Sequence, residues 1–298
     1  MTIAEKSKRF VFLLHILVCM SDLYNKISFK TSLLVTSSYS TSFSTAVKLL
    51  ARETQKAIYS IYGFVRFADE IVDTFHDYNK EKLLAKFEED YYAAIENGIS
   101  MNPILNSFQI TVKKYGIPDK LIQAFLSSMK TDLVKQNHLT KEETDGYIYG
   151  SAEVVGLMCL RVFVYGDDKL FKELEFHARK LGAAFQKVNF LRDIRDDTEL
   201  LKRNYFHNSL EKGFNEEVKK IIIGDVENDF AESWTGIKKL PENSKLGVVT
   251  AYFYYKKLLK KIKNTPSEQL LSKRVRVPDP VKLLLVLKAF LACRLRFV

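Results

Sequence analysis

The stretch Gln186-Lys187-Val188-Asn189-Phe190-Leu191-Arg192-Asp193-Ile194-Arg195-Asp196-Asp197 decides how the rest of the chain is read. Gln186, Asn189, Asp193 and Asp197 follow one another at spacings of 3, 4 and 4. On a helix that spacing makes a single polar stripe three turns long. Phe185, Val188, Phe190, Leu191 and Ile194 occupy its other sides. A solvated helix face would mix in Lys and Glu and spread more widely. This stripe is made of amides and carboxylates alone.

A second acidic cluster lies upstream, in Arg66-Phe-Ala-Asp69-Glu70-Ile-Val-Asp73. Asp69 and Asp73 are four apart and share a helix face, with Arg66 one turn earlier on it. The flanks, Ile61-Tyr-Gly-Phe-Val65 and Ile71-Val72, are apolar. Carboxylates in an apolar setting are costly unless they are paired or bound to metal. Either cluster alone reads as a local salt bridge or a surface face. Two such stripes facing each other across a helical core would instead hold Mg²⁺, which takes a few carboxylate oxygens and accepts phosphate oxygens as further ligands.

The wider composition agrees with helices. Twelve Gly and six Pro among 298 residues are 18 in all, about half the usual share of roughly 12%. The prolines stand at 103, 118, 241, 266, 278 and 280, so residues 1–102 and 119–240 contain none. An all-β or doubly wound fold would need more turn chemistry. Helical periodicity predicts helices over 37–50, 53–75, 80–97, 103–115, 118–135, 142–164 and 168–198. A looser region over 199–214 precedes further helices to about 263 and a last one over 280–296. Gly150, Ser151, Ala152 and Gly156 predict close helix packing within 142–164. The fold class expected is all-α, one domain over residues 20–298.

Several function classes drop out. Cys19, Cys159 and Cys293 form no CxxC pair, and the five histidines show no HExxH spacing, so cysteine- or histidine-built metal centres are not expected. The chain contains no G-x-G-x-x-G, P-loop or G-x-S-x-G sequence. The net charge of +10 is local, because residues 252–298 carry twelve Lys and Arg against Glu268 and Asp279 while the rest balances. A neutral body with one basic, Leu-rich end points to a phosphate-bearing ligand or an anionic membrane surface, not to nucleic acid. Residues 10–20 form an apolar run too short to span a bilayer, with no small-residue cleavage site after it. We read residues 1–19 as an extension upstream of a start at Met20.

With both clusters in hand, the chain resembles the squalene/phytoene synthase family. The resemblance rests on Ser40-Thr-Ser42-Phe43, on Ile61 to Arg66 with Asp69-Glu-Ile-Val-Asp73, on Tyr147-Ile-Tyr149 before Gly156, and on Gln186-x-x-Asn189-x-x-Arg192-Asp193-x-x-x-Asp197. These occur in the family's order, the resemblance spans roughly 27–290, and the wording is closer to phytoene synthases than to squalene synthases. It implies an isoprenoid synthase bundle around a central apolar cavity. It also implies head-to-head condensation of two geranylgeranyl diphosphates to phytoene through a cyclopropyl diphosphate. The alternatives are squalene or dehydrosqualene formation from two farnesyl diphosphates, and a non-catalytic scaffold relative.

The resemblance further assigns roles. Asp69, Asp73, Asn189, Asp193 and Asp197 would hold Mg²⁺, with Mn²⁺ as the substitute, and no NADPH is expected for phytoene. Arg66, Arg192, Tyr255, Arg274 and Ser40 would contact diphosphate. Tyr147 and Gln186 would join the aspartates in catalysis, and Phe43, Val47, Tyr62, Val155 and Leu157 would border the isoprenoid chains. The expected partners are prenyl diphosphates, an anionic membrane surface and downstream carotenoid enzymes. The expected location is cytoplasmic, peripheral on the inner face of the plasma membrane. One departure stands out, Glu153 in Ala152-Glu153-Val154-Val155-Gly156, where relatives have a small residue.

Overall fold

The computed structural model describes residues 22–134, 140–199, 213–295 and 298, with the side chains of 197–199 outside that set. The extension 1–19, most of the looser region 199–214 and the side chain of Asp197 therefore lie outside the described residues. All regular elements among the described residues are helices. They are α1 (22–39), α2 (Thr41–Val47), α3 (Arg52–Asp73), α4 (Lys80–Asn97), α5 (Pro103–Tyr115), α6 (Asp119–Val134) and α7 (Lys141–Ile148). A π-turn (Tyr149–Glu153) leads into α8 (Val154–Phe163), and then come α9 (Asp168–Glu199), α10 (Glu216–Ile237), α11 (Glu242–Lys263), α12 (Ser267–Leu270) and α13 (Asp279–Arg294). Among the described residues no helix is long and apolar enough to cross a membrane.

Helix α3 is the hub of the core because both its faces are used. One face buries Ile61, Phe64 and Ala68. Phe64 stacks on Phe108 of α5 at 4.0 Å between ring centroids and on Phe87 of α4 at 5.3 Å. The opposite face, with Ile58, Tyr62, Val65, Arg66, Asp69 and Asp73, borders a central cavity. Local signals set the ends. Asn79 caps α4, which stops at Gly98 in the left-handed region (φ +74°), and Asn102 caps α5 ahead of Pro103 at its first turn.

Two expectations change. The helix expected over 37–50 is two helices, because α1 runs from residue 22 and breaks at Ser40, whose extended backbone (φ −146°) and side chain cap α2 through the Phe43 N–H. Helix α1 is attached by polar groups: Ser32 Oγ lies 2.7 Å from Ser107 Oγ, and Asn106 Nδ2 donates to Asn25 and Ser28. The segment 142–164 is likewise interrupted, by the π-turn.

The small residues there do bring backbones together. A Cβ on Gly150 would sit 2.9 Å from the Ala124 carbonyl oxygen, one on Gly156 would sit 2.9 Å from that of Ala178, and one on Gly182 would sit 2.7 Å from that of Ala152. Gly156 and Gly182 thus let α8 and α9 cross in near backbone contact. Gly182→Ala should cost about 1–3 kcal/mol by overpacking and lower Tm by several degrees. Gly224→Ala, where a Cβ would meet nothing within 4 Å, should hold or raise Tm; thermal melts of the two variants check the contrast.

Candidate active site

The cavity has a volume of about 610 Å³ and is bordered by α2, α3, α6, the π-turn region, α8, α9, α10 and α11. Its charged pairs gather at one end. Asp69, Asp73 and Arg66 come from α3, Asn189, Arg192 and Asp193 from α9, and Ser40, Tyr255 and Arg274 join them. The two acidic clusters, more than a hundred residues apart in sequence, therefore face one cavity, as their stripes predict.

The charges at this end are paired, within α3 and within α9, and Arg274 joins the α9 pair from the segment after α12. Arg66 donates to Asp69 at 2.6 Å and also bonds Glu70. Arg192 Nε donates to Asp193 at 2.9 Å, and Arg274 Nε reaches the same carboxylate at 2.7 Å. Burial works against the Arg192 charge, but the hydrogen bond to Asp193 and the charge of that carboxylate outweigh it, so the guanidinium is held more firmly than usual. Arg66 behaves alike, with Asp69 and Glu70 outweighing its burial. The Arg66 guanidinium also lies 4.3 Å from the centre of the Tyr39 ring.

Aromatic rings line the wall behind the charges. Phe43 stacks on Tyr62 at 4.9 Å and Phe185 on Tyr255 at 4.0 Å. The Tyr255 hydroxyl donates to Asn189 Oδ1 at 3.3 Å. Burial pushes the Tyr62 phenol up to about 12 and raises that of Tyr255 as well. Both rings stay neutral at any ordinary pH.

Tyr147 borders the cavity and donates its hydroxyl to Asp132 of α6 at 2.7 Å. Asp132, itself buried, was not legible in sequence. It is a single aspartate between Thr131 and Leu133 of α6, and only the fold brings it to Tyr147.

Most other expected positions border the cavity too: Gln186, Val47 and Val155 among them. Leu157 does not. It is 2% exposed and belongs to the core, because two residues beyond Val155 a helix has turned about 200°. Cavity-lining positions include Tyr147, Ser151, Val155, Cys159 and Phe163 at steps of four, with Ala152, Gly156 and Leu160 beside them. An ordinary helix drifts about 40° per such step, and the wider π-turn absorbs part of that drift. Glu153 turns away from the cavity to Arg179 of α9, 2.6 Å from its Nε, and so ties the π-turn to the long helix.

The chain matches the family model "Squalene/phytoene synthase" over residues 36–280. It belongs to the squalene/phytoene synthase family and is thereby an enzyme of prenyltransferase type, acting on prenyl diphosphates by head-to-head condensation. It is 27% identical over 248 residues to a phytoene synthase of Pseudescherichia vulneris, covering 75% of this chain and 79% of that one. It is 31% identical over 159 residues to a presqualene diphosphate synthase of Rhodopseudomonas palustris, covering 52% and 54%. The fold matches a crystal structure of a dehydrosqualene synthase in complex with ligand at a TM-score of 0.79 and 19% identity, over 91% of this chain and 98% of that one.

The donor set suits Mg²⁺. Hard oxygen donors (Asp69, Asp73, Asn189 and Asp193) approach the cavity from two facing helices. Among the described residues no three acidic, His or Cys side chains converge on one point. An ion here would take one or two carboxylates and complete its shell with water and diphosphate oxygens, the usual habit of Mg²⁺.

Cys159 offers a direct check of the cavity's dryness. Burial disfavours its thiolate and pushes the thiol up to about 12, leaving on the order of one thiolate in 10⁴ at pH 8. Iodoacetamide at pH 8 should leave Cys159 of the native protein unlabelled and should label it after denaturation, as read by peptide mass.

Proposed function

We propose that this protein condenses two geranylgeranyl diphosphates to 15-cis-phytoene through a cyclopropyl diphosphate. The depth of the cavity carries this reading. Along α9 the lining runs from Asp193 to Leu174, nineteen residues at about 1.5 Å each, or roughly 28 Å. An extended prenyl chain advances about 5 Å per isoprene unit, given four C–C bonds of about 1.5 Å in zigzag. A C20 chain with its diphosphate at Asp193 occupies most of that depth, whereas a C15 chain leaves nearly half of it empty. The resemblance to phytoene synthases supports the same choice.

The residues present suggest how the work is divided. Arg66, Arg192 and Arg274 face Asp69, Asp73 and Asp193, three guanidinium groups against three carboxylates. Arg66 also bonds Glu70, so that end has no excess of positive charge and binds a trianionic diphosphate only with added positive charge. Asp69, Asp73, Asn189 and Asp193, with Asp197 of the same sequence stripe, would hold Mg²⁺, which would supply that charge and stabilise the leaving diphosphate. The arginines, aimed by their carboxylate partners, donate hydrogen bonds to diphosphate oxygens as charge develops on them. Ser40 and Tyr255 add neutral donors. The allylic cation left behind lies among Phe43, Tyr62, Phe185 and Tyr255, whose neutral π-faces stabilise it without attacking it. The apolar depth keeps out the water that would quench it.

Incubation with Mg²⁺ and geranylgeranyl or farnesyl diphosphate, separately and without NADPH, tests the assignment by the mass of the hydrocarbon product. A C40 hydrocarbon from the C20 substrate is expected. A C30 product alone, or a stalled cyclopropyl diphosphate, would move the protein to the squalene branch, and no product from either would favour a non-catalytic role. Asp69→Asn and Asp193→Asn should each lower kcat by at least about 10²-fold, the scale of a lost charge stabiliser, while the helical circular dichroism stays unchanged.

A further inference from the structure

Helix α13 is apolar on both sides. Its inner side packs on α11, with Ala289 fully buried and the Lys288 ammonium 4.6 Å from the centre of the Phe253 ring. Its outer side presents Leu283, Leu284, Leu287, Phe290, Leu291 and Leu295, each between 47% and 71% exposed. These positions recur at helical spacing and make one stripe along the whole helix. A helix apolar all round is normally buried, and an apolar patch of this extent on a protein surface marks an interaction site.

The charges around the stripe say what covers it. Lys288 and Arg294 stand along the helix, both exposed, and Lys273 and Arg276 are exposed on the segment leading into it. Of the nearby acids, Asp279 is paired with Lys282 at 2.9 Å and Glu242 with Lys245 at 3.8 Å. A second copy of the chain seated on this face would bring these cations against their own kind. The apolar run at 10–20 is preceded by Lys6-Ser-Lys-Arg9 and would also add positive to positive.

We infer that the outer face of α13 is a membrane-docking surface, lying in the plane of an anionic lipid interface. The leucines and Phe290 enter the acyl boundary while Arg294, Lys273 and Arg276 reach the headgroup phosphates. The surface follows from its own residues. The reading of the reaction adds only a use for it, since lipophilic substrate and product would pass between cavity and bilayer.

Flotation of the full chain tests this, with vesicles of phosphatidylcholine alone or mixed equally with phosphatidylglycerol, and no substrate present. The wild type should float with the anionic vesicles at low salt and much less with neutral ones. Leu284→Glu/Leu287→Glu should bind them at least about tenfold more weakly, because each side chain withheld from the lipid costs about that factor. Both positions are exposed, so the melt should be unchanged. Arg276→Gln/Arg294→Gln should keep the fold and lose the preference for anionic lipid. The inference is overturned if the wild type does not float with anionic vesicles, or if the Leu→Glu variant floats equally well. It is also overturned if light scattering shows a wild-type dimer that this variant breaks, which would make the face a contact between copies. Flotation without prenyl condensation would remove the proposed reaction and leave the docking surface standing.

Discussion

The close crossing of α8 on α9 is the constraint on which the site depends. Gly156 places α8 against the Ala178 carbonyl of α9, and Gly182 places α9 against the Ala152 carbonyl of the π-turn, with room for no Cβ between them. That contact sets the rotation of α9, and α9 contributes to the cavity from its polar end to its deepest point. A small rotation would carry Asn189 and Asp193 into the core and bring Val188 or Leu191 to the cavity. Packed interiors do not deform smoothly, so the register is held at one value. The π-turn and the Glu153–Arg179 pair secure the same junction from its other side.

Polarity is then distributed along one axis. The paired charges of the cavity gather where α3 and α9 present their carboxylates, and the remainder of the wall is largely aliphatic or aromatic, with Ser151, His177 and Ser233 among it. Charge pairs half out of water interact more strongly than at a surface, so the arginines are oriented before any ligand arrives. The same helices keep the deep end dry. The raised thiol of Cys159 and phenol of Tyr62 both express that low-dielectric wall. Separation of a charged end from a dry depth is what chemistry through a carbocation requires.

The surface repeats this theme at larger scale. The body of the chain is electrically balanced, and the excess of positive charge lies in the last 47 residues. Part of it, Arg274, turns inward to Asp193. Lys273, Arg276 and Arg294 stand exposed beside an apolar helix face directed outward. One basic segment thus serves both the polar end of the cavity and the outer surface.

Much of this was legible in the chain. Spacings of three and four in Gln186, Asn189 and Asp193, and of four in Asp69 and Asp73, determined which side chains share a face, because helical geometry is local. The scarcity of proline and glycine determined the all-helical class for the same reason. Tertiary structure alone decided what those faces meet. Helix α1 escaped notice as a packing element because it binds α5 through Ser32, Asn106 and Ser107 rather than through an apolar stripe. The break at Ser40 depended on a single side-chain cap, and the π-turn on the approach of Gly150 to α6. Asp132 acquired a role only when Tyr147 was brought to it, and Leu157 lost one because its neighbours, not it, face the cavity. Composition also located the positive charge of α13, yet only the packing of α11 against its inner side showed that its leucines point outward. Periodicity records which residues share a side of a helix; which side is covered depends on contacts between segments distant in the chain.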